Sequence, residues 1–371
     1  MILRLIIWSL VLMPLPAMAN SLPFVDQVMS DYSSDAAPGA GVVVVKDGQV
    51  LHNRGYGQAD REQSVGVTQK TSFRLASLSK QFIAMGVAIL VEQGLMTYEQ
   101  SLTDLLPQFP EYGRQIKIRH LIHHLSGLYD YEDLIPASQT TQVSDQDVLN
   151  LYAAKTNSTR FRPGAHYAYS NGGYVLLGLV IESISGERLD AFLANKIFSP
   201  LGMASVMYEG ENTPITDRAF GYSQSPSGWR RTDQSITSAT RGDGGIYASV
   251  SDLILWNDAL TPNNPSPIVS DKTLSVIFTS GRLNNGQGCG YGFGWQIDQW
   301  RGLKRQSHTG SSIGFRTAIQ RYPEQNLMIA VLTNRNGGSP WTIAETIAAH
   351  VLKLPASDHS SAPGMNHSII H

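Results

Sequence analysis

The chain has 371 residues, of which 42% are hydrophobic and 16% charged, with a formal net charge of −2. That balance leaves ample apolar material for a sizeable core and excludes the basic footprint of a nucleic-acid binder. A single cysteine, Cys289, excludes an intrachain disulfide and any multi-cysteine metal site.

Arg4 precedes an apolar run from Leu5 to Met13, and Pro14, Pro16 and Ala17-Met18-Ala19 follow. A positive start, a short apolar stretch and an A-x-A site predict a cleavable signal peptide over 1–19 and a periplasmic or secreted product. The run is too short to span a bilayer comfortably, and no later segment is long and apolar enough to do so. Residues 23 to 33 read as a short amphipathic helix. Gly39 to Lys46 is rich in valine, Asp47-Gly48 is a hairpin turn, and Gln49 to Gly55 pairs back as a second strand. The sheet therefore starts antiparallel.

Helical spacing then dominates. Apolar residues Phe82, Met85, Ile89 and Leu90 mark a helix from Ser77 to Gln93, and Gly94 ends it. Further helices are expected at Ile118 to Leu125, Asp145 to Lys155, Gly173 to Ser185 and Leu189 to Ile197. Strand patterns return at Tyr291 to Trp300, Gly314 to Tyr322 and Leu327 to Asn334, and Trp341 to Leu354 reads as a closing helix. The segment 357–371 is polar, lacks periodicity and is expected to be disordered. The layout predicts a discontinuous sheet domain, 20–65 with 288–356, interrupted by a mostly helical domain, 66–287.

Three short motifs could carry chemistry. Ser77-Leu78-Ser79-Lys80 is the one S-x-x-K of the chain. Residues three apart at a helix start share a face, which sets a lysine amine beside a serine hydroxyl. A serine needs a neighbour to take its proton, and a lysine can do so once burial has lowered its pKa. The helix mouth also offers backbone N–H groups to an oxyanion. Alone, such a tetrapeptide is expected about once by chance in a chain of this length. Tyr169-Ser170-Asn171 is the second motif: a phenol that can pass a proton and an amide that can hold a substrate carbonyl. The plainer reading is a helix N-cap at Ser170 or Asn171, and both can hold. His308-Thr309-Gly310-Ser311 is the third, just before a strand. There Gly310 would let a substrate approach the backbone, with the Ser311 N–H completing an oxyanion hole; the plainer reading is an inter-strand turn.

S-x-x-K, Y-x-N and then a basic residue before T-G resemble, in that order, the penicillin-recognising serine hydrolases. The branch is that of class C β-lactamases, DD-peptidases, esterases and D-amino-acid amidases. Arg119 to Leu128, Pro163-Gly164, Leu201-Gly202-Met203, Gly242-Asp243-Gly244-Gly245 and Tyr291-Gly292-Phe293-Gly294-Trp295 extend the likeness across 22–353. The resemblance implies an α/β fold of the α+β type, β-lactamase/transpeptidase-like. It would have an antiparallel five-stranded sheet flanked by helices and a large helical insertion. It implies an acyl-enzyme on Ser77, with Lys80 and Tyr169 shuttling the proton and the backbone N–H groups of Ser77 and Ser311 holding the oxyanion. Asn171 would contact the substrate amide, His308 would lie beside Tyr169 in place of the more familiar lysine, and no metal or organic cofactor would be required. The expected partner is a peptide or small-molecule substrate.

His-Thr-Gly points to peptidases, amidases or esterases more than to efficient lactamases. Cell-wall peptides with D-amino acids are the leading substrate class, with weak β-lactam hydrolysis as a side activity. A small-ester hydrolase is the alternative, and a catalytically silent binding protein is the alternative from another class. Trp295 and Gln296 occupy the stretch where some DD-peptidases carry a carboxylate-binding arginine, so Arg335 is the substitute candidate, equally readable as a solvated strand-end charge. Gly310-Ser311-Ser312-Ile313-Gly314 matches the G-x-S-x-G elbow, but the segment after it alternates like a strand rather than a helix. His120, His123 and His124 lack the partners of a zinc site and are expected to cap or pack a helix.

Overall fold

The computed structural model describes residues 22–155, 159–210 and 212–355; the expected signal peptide over 1–19 and the expected tail over 357–371 lie outside them. Strands β1 (Ala40–Lys46) and β2 (Gln49–Tyr56) form the predicted hairpin. Asp47 and Gly48 both hold positive φ, 52° and 75°, which matches the right-handed twist of the strands they join. The C-terminal part of the chain supplies β3 (Gln296–Trp300), β4 (Leu303–Ser312), β5 (Phe315–Tyr322) and β6 (Leu327–Thr333). All neighbours are antiparallel, in the order β3-β4-β5-β6-β1-β2.

The fold class is the expected one, but the sheet has six strands rather than five. The additional strand is β4, which contains the third motif. Its sequence, LKRQSHTGSS, offers no apolar alternation. Arg305 holds it instead, donating to both oxygens of Asp298 on β3 at 2.9 and 2.7 Å and to Glu345 at 2.7 Å.

The valine run of β1 is apolar on both sides because both faces of the sheet are covered. Val42 and Val44 join one core, with α1 (Pro23–Val28) and α7 (Pro340–Val351). Val43 and Val45 join the other, which includes the helical layer. In β6, Ile329 and Val331 likewise face the first core, while Met328, Ala330 and Leu332 face the second.

The helical layer centres on α2 (Lys80–Glu92), whose residues from Lys80 to Leu90 are all buried. A helix apolar all round belongs in the interior of a bundle. Beside it lies α5 (Asn171–Ser185), against which α3 (Ile118–Ile122) and α4 (Asp145–Ala154) pack in turn. The Ser170 hydroxyl caps α5 by accepting the Gly173 N–H at 3.1 Å, and Gly186 ends the helix at φ 70°. One helix of the inserted region, α6 (Val250–Ala259), bridges the two layers: it packs on β1 and β6, and its Trp256 lies 4.3 Å from the Phe82 ring and donates to Gln81 on α2 at 2.9 Å. Among the described residues no helix is long and apolar enough to cross a membrane.

Candidate active site

Ser77 sits on a 3-10 turn, Ala76–Ser79, that leads into α2. Residues three apart eclipse one another in such a turn. The Lys80 ammonium nitrogen is accordingly 3.0 Å from the Ser77 Oγ. Ala76 adopts φ +51°, a left-handed conformation that costs a residue with a side chain roughly 1 kcal/mol or more. The neighbours hold it there. Thr317 donates to the Leu75 carbonyl at 2.9 Å, the Leu75 N–H reaches Ile246 O at 2.8 Å, and the Ile246 N–H reaches Ser79 Oγ at 3.1 Å.

Gly310 is where β4 meets this turn. A Cβ there would stand 2.3 Å from the Leu75 carbonyl oxygen and 2.2 Å from Thr317 Oγ1. Its missing side chain admits the nucleophile turn to the strand. Ser311 follows directly, so its backbone lies next to the segment that carries Ser77. Thr309 and Ser311 are exposed on the alternate face. Ser312 ends β4 and is followed by β5, so the strand-to-helix elbow required by the rival motif is absent here.

Lys80 is fully buried and donates to three uncharged acceptors: Ser77 Oγ, Asn171 Oδ1 at 2.9 Å and the Asp243 carbonyl at 2.8 Å. Burial lowers its pKa to about 8, with the charges of Asp243, Glu132 and Asp130 opposing. Tyr169 shares a hydrogen bond with Ser77, and its ring centroid is 5.0 Å from the Lys80 nitrogen. Burial pushes the Tyr169 phenol well above its ordinary range, so it is protonated at neutral pH. His124 stacks under it at 4.2 Å and accepts the Ser170 N–H at 3.1 Å, which fixes the loop between them. His120 accepts the Lys117 N–H ahead of α3, and His123 bonds the Tyr291 carbonyl at 2.9 Å.

His308 is beside Tyr169, with ring centroids 6.2 Å apart, but both its nitrogens have other partners. Nδ1 lies 2.6 Å from the Thr309 carbonyl, which can only accept, so Nδ1 carries the proton. Nε2 then accepts from the Tyr291 hydroxyl at 2.8 Å. Burial, helped by the Lys80 charge, lowers the His308 pKa to about 3, so the ring is neutral. Arg335 is placed differently from the expectation. Its guanidinium lies 3.5 Å over the Tyr32 ring and donates to the Asp31 carbonyl, and none of its contacts is with Ser77, Lys80 or Tyr169. The aromatic face of Tyr32 and that carbonyl satisfy it near the N-terminal helix.

Several groups had no clear signal in the sequence. Glu132, in a short turn over Glu132–Leu134, accepts from Asn171 Nδ2 at 3.3 Å. The residue as a whole is exposed, but desolvation of its carboxylate beside the cleft, then the charges of Asp130 and Asp243, raise its pKa to about 7. Asp243 holds Tyr131 through Oδ2 at 3.1 Å, while its Oδ1 is buried without a partner. It was visible only within Gly242-Asp243-Gly244-Gly245. Arg316, directly across the ladder from Ser311, donates to the Ser312 and Phe315 carbonyls at 2.8 Å.

The Beta-lactamase family model matches residues 25–353. Penicillin-binding protein 4* of Bacillus subtilis is 31% identical over 84% of this chain and 71% of its own length. A D-aminopeptidase of Gluconobacter oxydans is 29% identical over 84% of this chain, which spans only 58% of that protein. Among solved structures, an octameric penicillin-binding protein homologue from Pyrococcus abyssi superposes with a TM-score of 0.74 at 26% identity, covering 89% of this chain and 76% of that one.

Proposed function

The chain belongs to the β-lactamase family, and from that premise we propose an exported serine hydrolase that cleaves amide bonds of D-amino-acid-containing peptides through an acyl-enzyme on Ser77. One observation carries this reading: Lys80 is buried against uncharged acceptors, 3.0 Å from the Ser77 hydroxyl. Burial lowers the pKa of an amine so held from its ordinary 10.5 to about 8, and it becomes a base near neutrality.

In the first step Ser77 Oγ bonds to the substrate carbonyl carbon while its proton passes to Lys80. The oxyanion sits on the backbone N–H groups of Ser77 and Ser311. The C–N bond then breaks, and Tyr169, held on Ser77, relays the proton to the leaving amine. Water attacks the ester in the reverse sense, giving up its proton and restoring the Ser77 hydroxyl. Asn171 holds Lys80 through Oδ1 and keeps a second amide hydrogen for a substrate carbonyl.

The names of two relatives, a penicillin-binding protein and a D-aminopeptidase, support D-amino-acid peptides as the substrate class. A positive start, a short apolar stretch and an A-x-A site support export. A second reading, a small-ester hydrolase, is favoured by the neutral His308 and by Arg335 lying on Tyr32, which leave a substrate carboxylate without an evident cation at either place. Mass spectrometry after exposure to a penicillin or an activated ester tests the common mechanism. Wild type gains one acyl mass and Ser77→Ala gains none. A wild type that never gains mass would mark a silent binding protein.

A further inference from the structure

We propose that a cavity at the opposite end of β5 from the nucleophile turn binds a small monocarboxylate with an apolar body, its carboxylate seated on Arg321. This second site does not depend on the chemistry at Ser77.

Arg321 lies on β5, four residues beyond Thr317 and on the same face of the strand. Thr317 touches the nucleophile turn through the Leu75 carbonyl, so Arg321 stands about 13 Å further along β5. A cavity of about 640 Å³ opens there, between the Asp47-Gly48 turn, the end of α6 and the helix Asp271–Ile277. That is the size of a small-molecule site. Leu260, Leu274, Phe278, Leu327 and Met328 give it apolar walls.

The floor of this cavity carries a charge that the protein leaves unanswered. Arg321 is only 8% exposed. Its Nε donates to Asn257 Oδ1 at 2.9 Å, one Nη to Gln306 Oε1 at 2.8 Å and the other to the Leu260 carbonyl at 3.2 Å. All three acceptors are uncharged. The rings of Phe278 and Trp295 lie 5.1 and 5.9 Å from the guanidinium carbon and bring a quadrupole but no anion. Among the described residues Arg321 forms no ion pair. A guanidinium has five N–H groups, and these bonds use three, so one hydrogen on each Nη remains. A carboxylate engages such a pair with its two oxygens. A buried charge without a counter-charge is costly, and a bound carboxylate removes that cost. Burial lowers the Arg321 pKa to about 10, which agrees with a cation that lacks its anion.

The acids of the cavity stand at its rim. Asp47, Asp258 and Asp271 line it, and all three are exposed. Asp47 is paired with Lys46, and Asp271 accepts the Asn263 N–H at 3.1 Å. Asp258 acts on Arg321 through its charge without bonding it. These rim charges are solvated and repel a second anionic group on a ligand. The cavity therefore takes one carboxylate, set deep, on an otherwise uncharged body, and rejects dicarboxylates.

Calorimetric titration with octanoate, octanamide and suberate tests this on wild type, Arg321→Met and Ser275→Trp. Ser275 is an exposed residue of the cavity wall, so tryptophan there obstructs the cavity and leaves the core alone. In wild type octanoate binds saturably, about tenfold to a hundredfold tighter than octanamide. Suberate binds about tenfold more weakly than octanoate. Arg321→Met brings octanoate and octanamide to equal affinity. Ser275→Trp weakens octanoate by about tenfold or more while ester hydrolysis at Ser77 keeps its wild-type rate. If Arg321→Met does not fold, Ser275→Trp decides the matter alone. Wild type without saturable octanoate binding overturns the proposal, as does equal affinity for octanoate and octanamide. So does a Ser275→Trp protein that binds octanoate as wild type does, because the acid then sits elsewhere, the catalytic cleft included. Suberate binding as tight as octanoate overturns the selection by the rim.

Discussion

Two cations, Lys80 fully buried and Arg241 largely so, lie close together in this molecule, and their surroundings give them opposite characters. Arg241 bonds Asp145 at 2.8 Å and both oxygens of Glu182 at 2.9 and 3.1 Å. Burial opposes its charge, yet these carboxylates outweigh it and its pKa is raised. Two residues on, the Asp243 carbonyl holds Lys80, whose other acceptors are a hydroxyl and an amide. There burial wins and the pKa falls to about 8. Burial alone does not make a base. What distinguishes the cleft from the helix junction is acceptors without charge, which satisfy the hydrogens of an amine but do not lock in its proton.

The comparison breaks most sharply at Lys80. Lys80→Arg puts a group that cannot lose its proton in the place of the base, so ester hydrolysis falls by about 10³-fold while the thermal midpoint shifts only a few degrees. A variant keeping a tenth of the rate would mean that Lys80 is not the base. The converse change is Arg241→Met. It leaves the buried Asp145 and the half-buried Glu182 without their cation and lowers the unfolding free energy by about 3 kcal/mol in urea titration. Turnover by the protein that remains folded should stay within about tenfold, and a larger loss would tie the ion cluster to the chemistry. The smallest effect is in pH. Only neutral Lys80 accepts the Ser77 proton, so acylation rises with pH, by about tenfold per unit below about 8, and levels above it. Asp130, Glu132 and Asp243 bring negative charge to Lys80, and Glu132 has a pKa placed within the rising limb, at about 7. Glu132→Gln should leave the Lys80 limb in place for an ester, and a limb that disappears would reassign the ionisation.

What could be read in advance was local. The turn residues Asp47-Gly48, the valines of β1 and the apolar runs of α2 and α5 each declare their element, because period and turn chemistry are short-range properties. Spacing likewise sufficed to bring Ser77 and Lys80 to one face of a turn. The strand β4 was not legible, since Arg305, Ser307 and His308 are buried by partners distant in the chain rather than by their own apolarity. The same holds for Glu132. It meets Asn171 across 39 residues, and no pattern near Glu132 announces that contact. At Gly310 the sequence suggested room for a substrate, whereas the close neighbour at residue 75 is set by contacts distant in the chain.

The pairing of Ala40 in β1 with Thr333 in β6 has a consequence for synthesis. The first valine strand leaves the ribosome 293 residues before its partner, 333 less 40, which at ordinary elongation rates is roughly 15 to 60 s. Throughout that interval one edge of a valine-rich strand is open to any other extended chain. Non-native pairing at the N-terminal hairpin therefore competes with the native sheet until translation is nearly finished.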